Sequence, residues 1–273
     1  MTLKSVTGAA GLLRRHPILW SIGLVLGALA ALDLLIPIYG SAFYAQPLAF
    51  LQILVTPFLV GGVYGTIRAE NFTAAEFIES GKACYFRILL PALVIFFAIL
   101  LTLILLMIPL TLLGAGVMVP LLFGVILSIA FFTFFYDTVA VFEETGVFES
   151  IRRSIEFVMN NIGSVLVFYL TNIVVFIALG LAGIFTWTAL LIGKLEPLTT
   201  MSPAELETMV PEDLFALIGT EGVWIAAIIY AVVIVLFSAF LYAYKANFFQ
   251  NHVSAAPAQQ QGEYDEKGRW YKY

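Results

Sequence analysis

The chain has 273 residues, 62% of them hydrophobic and 11% charged, with a mean hydropathy of +1.00. A soluble domain carries roughly a quarter charged residues, so this composition excludes a water-facing fold. A net charge of −5 and a pI near 5.0 argue against a nucleic-acid partner, and the lone Cys84 leaves no internal disulfide.

Six apolar stretches follow one another along the chain, at 18–36, 48–67, 88–113, 117–142, 162–192 and 223–244. About 20 helical residues cross a bilayer core of about 30 Å, and each stretch is that long. They are apolar on every side, whereas barrel strands alternate. The expected fold class is therefore all-α, a polytopic membrane bundle of six transmembrane helices spanning 1–249. The first stretch, preceded by Arg14 and Arg15, exceeds a signal-peptide core and reads as a retained anchor.

Even crossings place both termini together, and twelve of the thirteen Lys and Arg residues then share one face, with Lys194 on the other. The positive-inside rule makes that face cytoplasmic and the protein a multi-pass component of the cell membrane. Ahead of crossings one, three and five lie short amphipathic stretches at 7–16, 73–87 and 145–161, which read as three repeats of interfacial helix plus transmembrane hairpin. Thr73 and Glu76 have capping-box spacing, and Phe77, Ile78, Gly81 and Tyr85 share a helical face. Ile151, Ile155, Val158 and Ile162 do the same in the third copy, where Glu149 with Arg153 and Arg152 with Glu156 stand one turn apart. In the outer loop, 193–222, Ser202, Pro203 and Glu205 mark one helix start, and Pro211 begins a second carrying Leu214, Phe215, Leu217 and Ile218. From 250 to 273 the chain is polar and is expected to be a mobile cytoplasmic tail, with Trp270 and Tyr271 suited to headgroups or docking.

Polar groups within the apolar stretches are few. Asp33 and Asp137 lie near crossing ends, expected at headgroup level or paired locally, and Asn172 suggests an interhelical hydrogen bond. Gln52 and Thr56 precede Pro57, which frees a carbonyl. Gln52, Thr56, Asp137 and Asn172 are the candidate cavity residues among crossings two, four and five. The spacing of Gly23 with Gly27 and of Gly61 with Gly65 points to close helix packing within the chain.

No residue set specifies a reaction. Glu143 and Glu144 invite comparison with intramembrane glutamate proteases, but Phe148 occupies the arginine position of that motif, and His16 and His252 lie outside the crossings. Cys84 has no partner at metal-ligand spacing, so no catalytic residue, cofactor or metal is expected. The segment 119–181, with Asp137, Phe142, Glu144, Gly146, Val147, Ile151, Arg153, Ser154, Asn161 and Gly163, resembles the membrane domain attached to some glycerophosphodiester phosphodiesterases and related six-helix proteins of archaea and bacteria. That resemblance implies a membrane module without the catalytic barrel. The leading functional expectation is a non-enzymatic scaffold or accessory subunit acting at the cytoplasmic face through Arg152, Arg153, Trp270 and Tyr271. Its partners would be the lipid bilayer and a membrane protein or bound lipid. The alternative is a transporter of small solutes or lipids through the candidate cavity.

Overall fold

The structure is a computed structural model that describes residues 2–40, 45–111, 114–202, 207–253, 263–264 and 270–271. Helix α1 (Thr2–Arg15) leads through a 3-10 turn (Pro17–Trp20) into α2 (Ser21–Tyr39), followed by α3 (Ala45–Ala69) and α4 (Ala74–Thr111). Then come α5 (Ala115–Thr133), a short α6 (Tyr136–Phe142), α7 (Val147–Asn160), α8 (Ile162–Leu190), α9 (Ile192–Thr200) and α10 (Pro211–Val253). Beyond the bundle, Glu263–Tyr264 pairs antiparallel with Trp270–Tyr271. Six spans are long and apolar enough to cross a membrane, as the hydropathy pattern requires: an all-α polytopic bundle.

Neighbouring crossings run in the order α5, α4, α3, α2, α10, α8, an open row rather than a closed ring. Among the described residues only side chains bridge its two ends, Phe131 and Phe134 beside the helix break touching Phe168 and Tyr169 of the last helix in the row. Most buried side chains gather at the end where α1, α6, α7 and the last turns of α3 and α10 converge, the end rich in Lys and Arg. A smaller cluster of Leu35, Leu191, Ile218, Val223 and Ala227 closes the far end of α2, α8 and α10. No described residue between 92 and 132 is buried, although this hairpin is rich in Leu, Ile and Phe. Water would not tolerate that surface; lipid tails do.

Glycines set the closest contacts. At Gly27 an added Cβ would stand 2.5 Å from Val235 Cγ2 and 2.7 Å from the Ala231 carbonyl, and at Gly23 it would collide with the Val235 carbonyl. Gly65 brings α3 equally close to α4 at Ser80, and at Gly61 an added Cβ would stand 3.0 Å from Cys84 Cβ. Both pairs serve packing within the chain.

Several boundaries differ from the hydropathy reading. The inner stretch 73–87 is not a separate interfacial helix; α4 runs unbroken through it into the crossing, since no proline precedes Pro91. The Thr73 hydroxyl accepts the Glu76 amide at 3.2 Å, completing one half of the capping box. The Glu76 carboxylate turns instead to Ser80 at 2.7 Å and Asn71 at 3.4 Å. Phe77 and Gly81 are buried against α3, but Ile78 points outward. In α7 the buried residues are Ser150, Ser154, Phe157 and Val158, while Ile162 is exposed. Helix α10 extends to Val253, past both the predicted crossing and the predicted domain end at 249. Its helical start at Pro211 is as expected, and Gly219, at φ 66°, breaks it before the crossing. Such a positive φ is inexpensive only for glycine. The freed Ile218 carbonyl accepts from Lys194 Nζ at 3.0 Å, and that lysine also pairs with Glu221 at 2.8 Å. The predicted start at Ser202, Pro203 and Glu205 falls largely on residues outside the described set.

Candidate functional site

The fourth crossing is where the bundle departs most from a simple helix. The run Phe131-Phe132-Thr133-Phe134-Phe135-Tyr136-Asp137 contains neither proline nor glycine, yet α5 ends at Thr133 and α6 starts at Tyr136. A break inside apolar surroundings exposes backbone groups that must find partners. Side chains of three other helices supply them. Ser154 of α7 accepts the Phe135 amide at 3.1 Å and donates to the Phe132 carbonyl at 3.0 Å, spanning the break with one hydroxyl. Tyr169 of α8 donates to the Phe131 carbonyl at 3.2 Å. Lys245 of α10 donates to the Phe134 carbonyl at 2.6 Å.

Lys245 also reaches both carboxylate oxygens of Asp137, at 2.7 and 2.9 Å. The two side chains are only 3% and 8% exposed. The Thr138 amide donates to Asp137 Oδ1 at 2.7 Å and the Tyr64 hydroxyl to Oδ2 at 3.4 Å, so the carboxylate is held by α3, α6 and α10 together. The ammonium lies 3.8 Å from the centre of the Phe134 ring, an additional stabilisation of a desolvated cation. Around it pack Phe135, Phe157, Phe168, Tyr244 and Phe248, ring against ring.

Of the four candidate cavity residues, Asp137 alone enters this site. The Thr56 hydroxyl is spent on the Gln52 carbonyl at 2.7 Å, one turn back in α3. Asn172 is buried, but its amide donates to Phe168 in its own helix at 2.8 Å, so the expected interhelical bond is not formed. Its Oδ1 has no partner among the described residues. Neither the cleft between α8 and α10, nor that beside α2 and α3, nor that at the basic end, is lined by Gln52, Thr56, Asp137 or Asn172. Asp33 is exposed, whereas Asp137 is buried and pairs with Lys245 of another crossing, 108 residues further along the chain. Lys245 escaped the sequence reading because it directly follows an apolar run and looks like an interfacial cation. An acid and a base at similar depth in two crossings was the signal available.

Next to the site, Arg68 holds the end of α6 by donating to the Val141 carbonyl at 2.7 Å and pairing with Glu144. Arg152 is forked between Glu149 and Glu156, and Arg153 between Glu149 at 2.9 Å and Glu143 at 4.0 Å. The i,i+4 pairs expected from spacing are present. Both arginines are thereby charge-paired within α7 and its entry turn while their side chains stay 59% exposed at Arg152 and 40% at Arg153. Hydrogen bonds from Arg152 and Arg153 hold the Glu149 carboxyl down at about 2, while partial burial pushes Glu143 up against the pull of Arg153. The side chains of Trp270 and Tyr271 lie outside the described set; their backbone forms one strand of the small terminal hairpin.

These features define a polytopic α-helical membrane protein whose fourth crossing is broken and closed by a buried ion pair. The chain belongs to the family described as "Domain of unknown function (DUF7847)", which matches residues 2–252, from α1 almost to the end of α10. The match names this family and not the phosphodiesterase-associated domain. No curated protein and no solved structure matches the chain.

Proposed function

We propose that the protein is a non-enzymatic membrane scaffold or accessory subunit that works at its basic, cytoplasmic end. The carrying observation is the polarisation of the bundle: ion pairs, the helix break and the main core are concentrated at that end, while the far half of α4 and α5 is bare of buried contacts. Placing that end and both termini in the cytoplasm follows the charge bias of the loops. The threefold repeat gains support from the turns after α3 and α6, where Glu70 and Glu144 both adopt φ 52° shortly before the next helix begins.

A transporter reading has one observation in its favour, since broken helices in membranes often line substrate paths. Here the freed carbonyls of Phe131, Phe132 and Phe134 and the buried charges are taken up by protein groups, which favours a structural rivet. Native mass spectrometry of the protein extracted in mild detergent from its own membrane tests the choice. A stoichiometric protein subunit is the expected result. A protein that emerges alone, and that moves solute in proteoliposomes in a Gln52- and Asn172-dependent way, would overturn the scaffold reading.

A further inference from the structure

The cations of the basic end divide by their partners, and Arg14, Lys82 and Arg87 are among those with no carboxylate partner in the described residues. Arg68, Arg152, Arg153 and Lys245 each contact a carboxylate. Lys4 and Arg15 of α1 contact none among the described residues, although they stand on the wall of a cleft of about 800 Å³. Its other walls are the end of α3 with Ile67, the following turn with Glu70 and Phe72, and Asn247 and Gln250 of α10. His16 closes one side, its ring stacked on Phe72 with centroids 3.5 Å apart. The titratable groups facing the cleft are thus Lys4, Arg15 and His16 against the single carboxylate of Glu70, a net positive lining.

Depth identifies what such a lining meets. Arg15 and His16 immediately precede the first span, which starts at Pro17, and Glu70 immediately follows the second, which ends at Ala69. The cleft therefore lies at the membrane boundary, where phosphates of lipid headgroups reside. Its shape is also built by sequence: Gly11 faces it, and a Cβ added there would meet nothing within 4 Å. We infer that this cleft between α1, the α3–α4 turn and α10 is a binding site for a phosphate group, with Arg15 and Lys4 as its charged ligands, His16 as a further donor and Glu70 as acceptor for a headgroup hydroxyl. Guanidinium and ammonium donors suit phosphate oxygens, and each cation close to an anionic surface adds to retention.

The test titrates the full chain in a neutral detergent with dioctanoyl phosphatidylglycerol, dioctanoyl phosphatidylcholine or inorganic phosphate, and reads the unfolding midpoint. Saturable stabilisation by phosphatidylglycerol, weak for phosphatidylcholine, is expected. In K4Q/R15Q the apparent Kd should rise about tenfold or more, equivalent to about 1.4 kcal/mol. G11L, which fills the cleft without altering charge, should lose binding as well. K82Q/R87Q removes two exposed cations away from the cleft and should bind as wild type. The same variant pattern with inorganic phosphate alone would keep the site and assign it a soluble phosphate compound. Equal loss in K82Q/R87Q, or undiminished binding in both K4Q/R15Q and G11L, would overturn the inference.

Discussion

At the scale of single residues, Asp137 and Lys245 carry the most consequence. Removing one member of a buried pair strands the other charge, at a cost of about 3–5 kcal/mol, whereas replacing both with neutral groups is often far less harmful. Asp137→Asn alone should lower the unfolding midpoint sharply, because Lys245 then faces only the Phe134 carbonyl and ring. Lys245→Met alone should do likewise, leaving the carboxylate with the Thr138 amide and the distant Tyr64 hydroxyl. The double variant should recover much of the loss, a coupling measurable by a double-mutant cycle of thermal unfolding in detergent. Strictly additive losses would show that the pair does not act as a unit. Little of this was legible beforehand. Asp137 stood out as a rare acid in an apolar run, but its partner lies 108 residues away and mimics an interfacial lysine. The break itself leaves no trace in composition, since tertiary hydrogen bonds, not a proline or glycine, hold it.

At the scale of elements, two contacts show how sequence becomes packing. Helix α2 approaches α10 so closely at Gly23 and Gly27 that a side chain there would strike the backbone at Val235 or Ala231. Gly23→Leu should therefore separate the two helices and lower the unfolding midpoint, while Gly11→Leu, facing open space, should not. A midpoint unchanged by Gly23→Leu would contradict this packing. The close-packing role was readable from the four-residue spacing; the partner helix was not, because spacing specifies a face and says nothing of what meets it. Helix α7 gives the pH-dependent case. Its Glu149 carboxyl is drawn from an ordinary 4.5 to about 2 by Arg152 and Arg153. A depressed carboxylate stabilises the folded state above the unfolded value and loses that contribution as pH falls from about 4.5 through about 2. Carboxyl carbon resonances of labelled glutamate should place the Glu149 midpoint near 2, returning toward 4.5 in Arg152→Gln/Arg153→Gln. The ion pairs of α7 were visible as i,i+4 spacing, yet its buried face was misjudged: of the expected stripe Ile151, Ile155, Val158 and Ile162 only Val158 is buried, and Ser154 is required inside to bridge the broken crossing.

At the scale of the whole molecule, hydropathy revealed all six crossings because membrane insertion depends on length and apolarity alone. It could not reveal their order in space, since each helix is apolar all round and no face announces a neighbour. The resulting row is asymmetric. At the basic end, α6 is surrounded by α3, α4 and α7 and tied to α10 by the Lys245 pair, with Val139, Ala140 and Val141 fully buried. In the far half of the α4–α5 hairpin no described residue is buried, so local opening there disrupts few tertiary contacts. Amide hydrogen exchange in a detergent micelle should accordingly be slowest across 135–142 and across the last turns of α10, approaching the rate of global unfolding. Exchange should be faster by orders of magnitude across 114–130, even though both segments are helical and equally apolar. Asp137→Asn should selectively accelerate the protected segment, since it removes the tie between α6 and α10, and leave the hairpin unchanged. Uniform protection along α5 and α6 would mean that the hairpin is stabilised by packing comparable to that of the basic end, and the polarised picture of the bundle would fail.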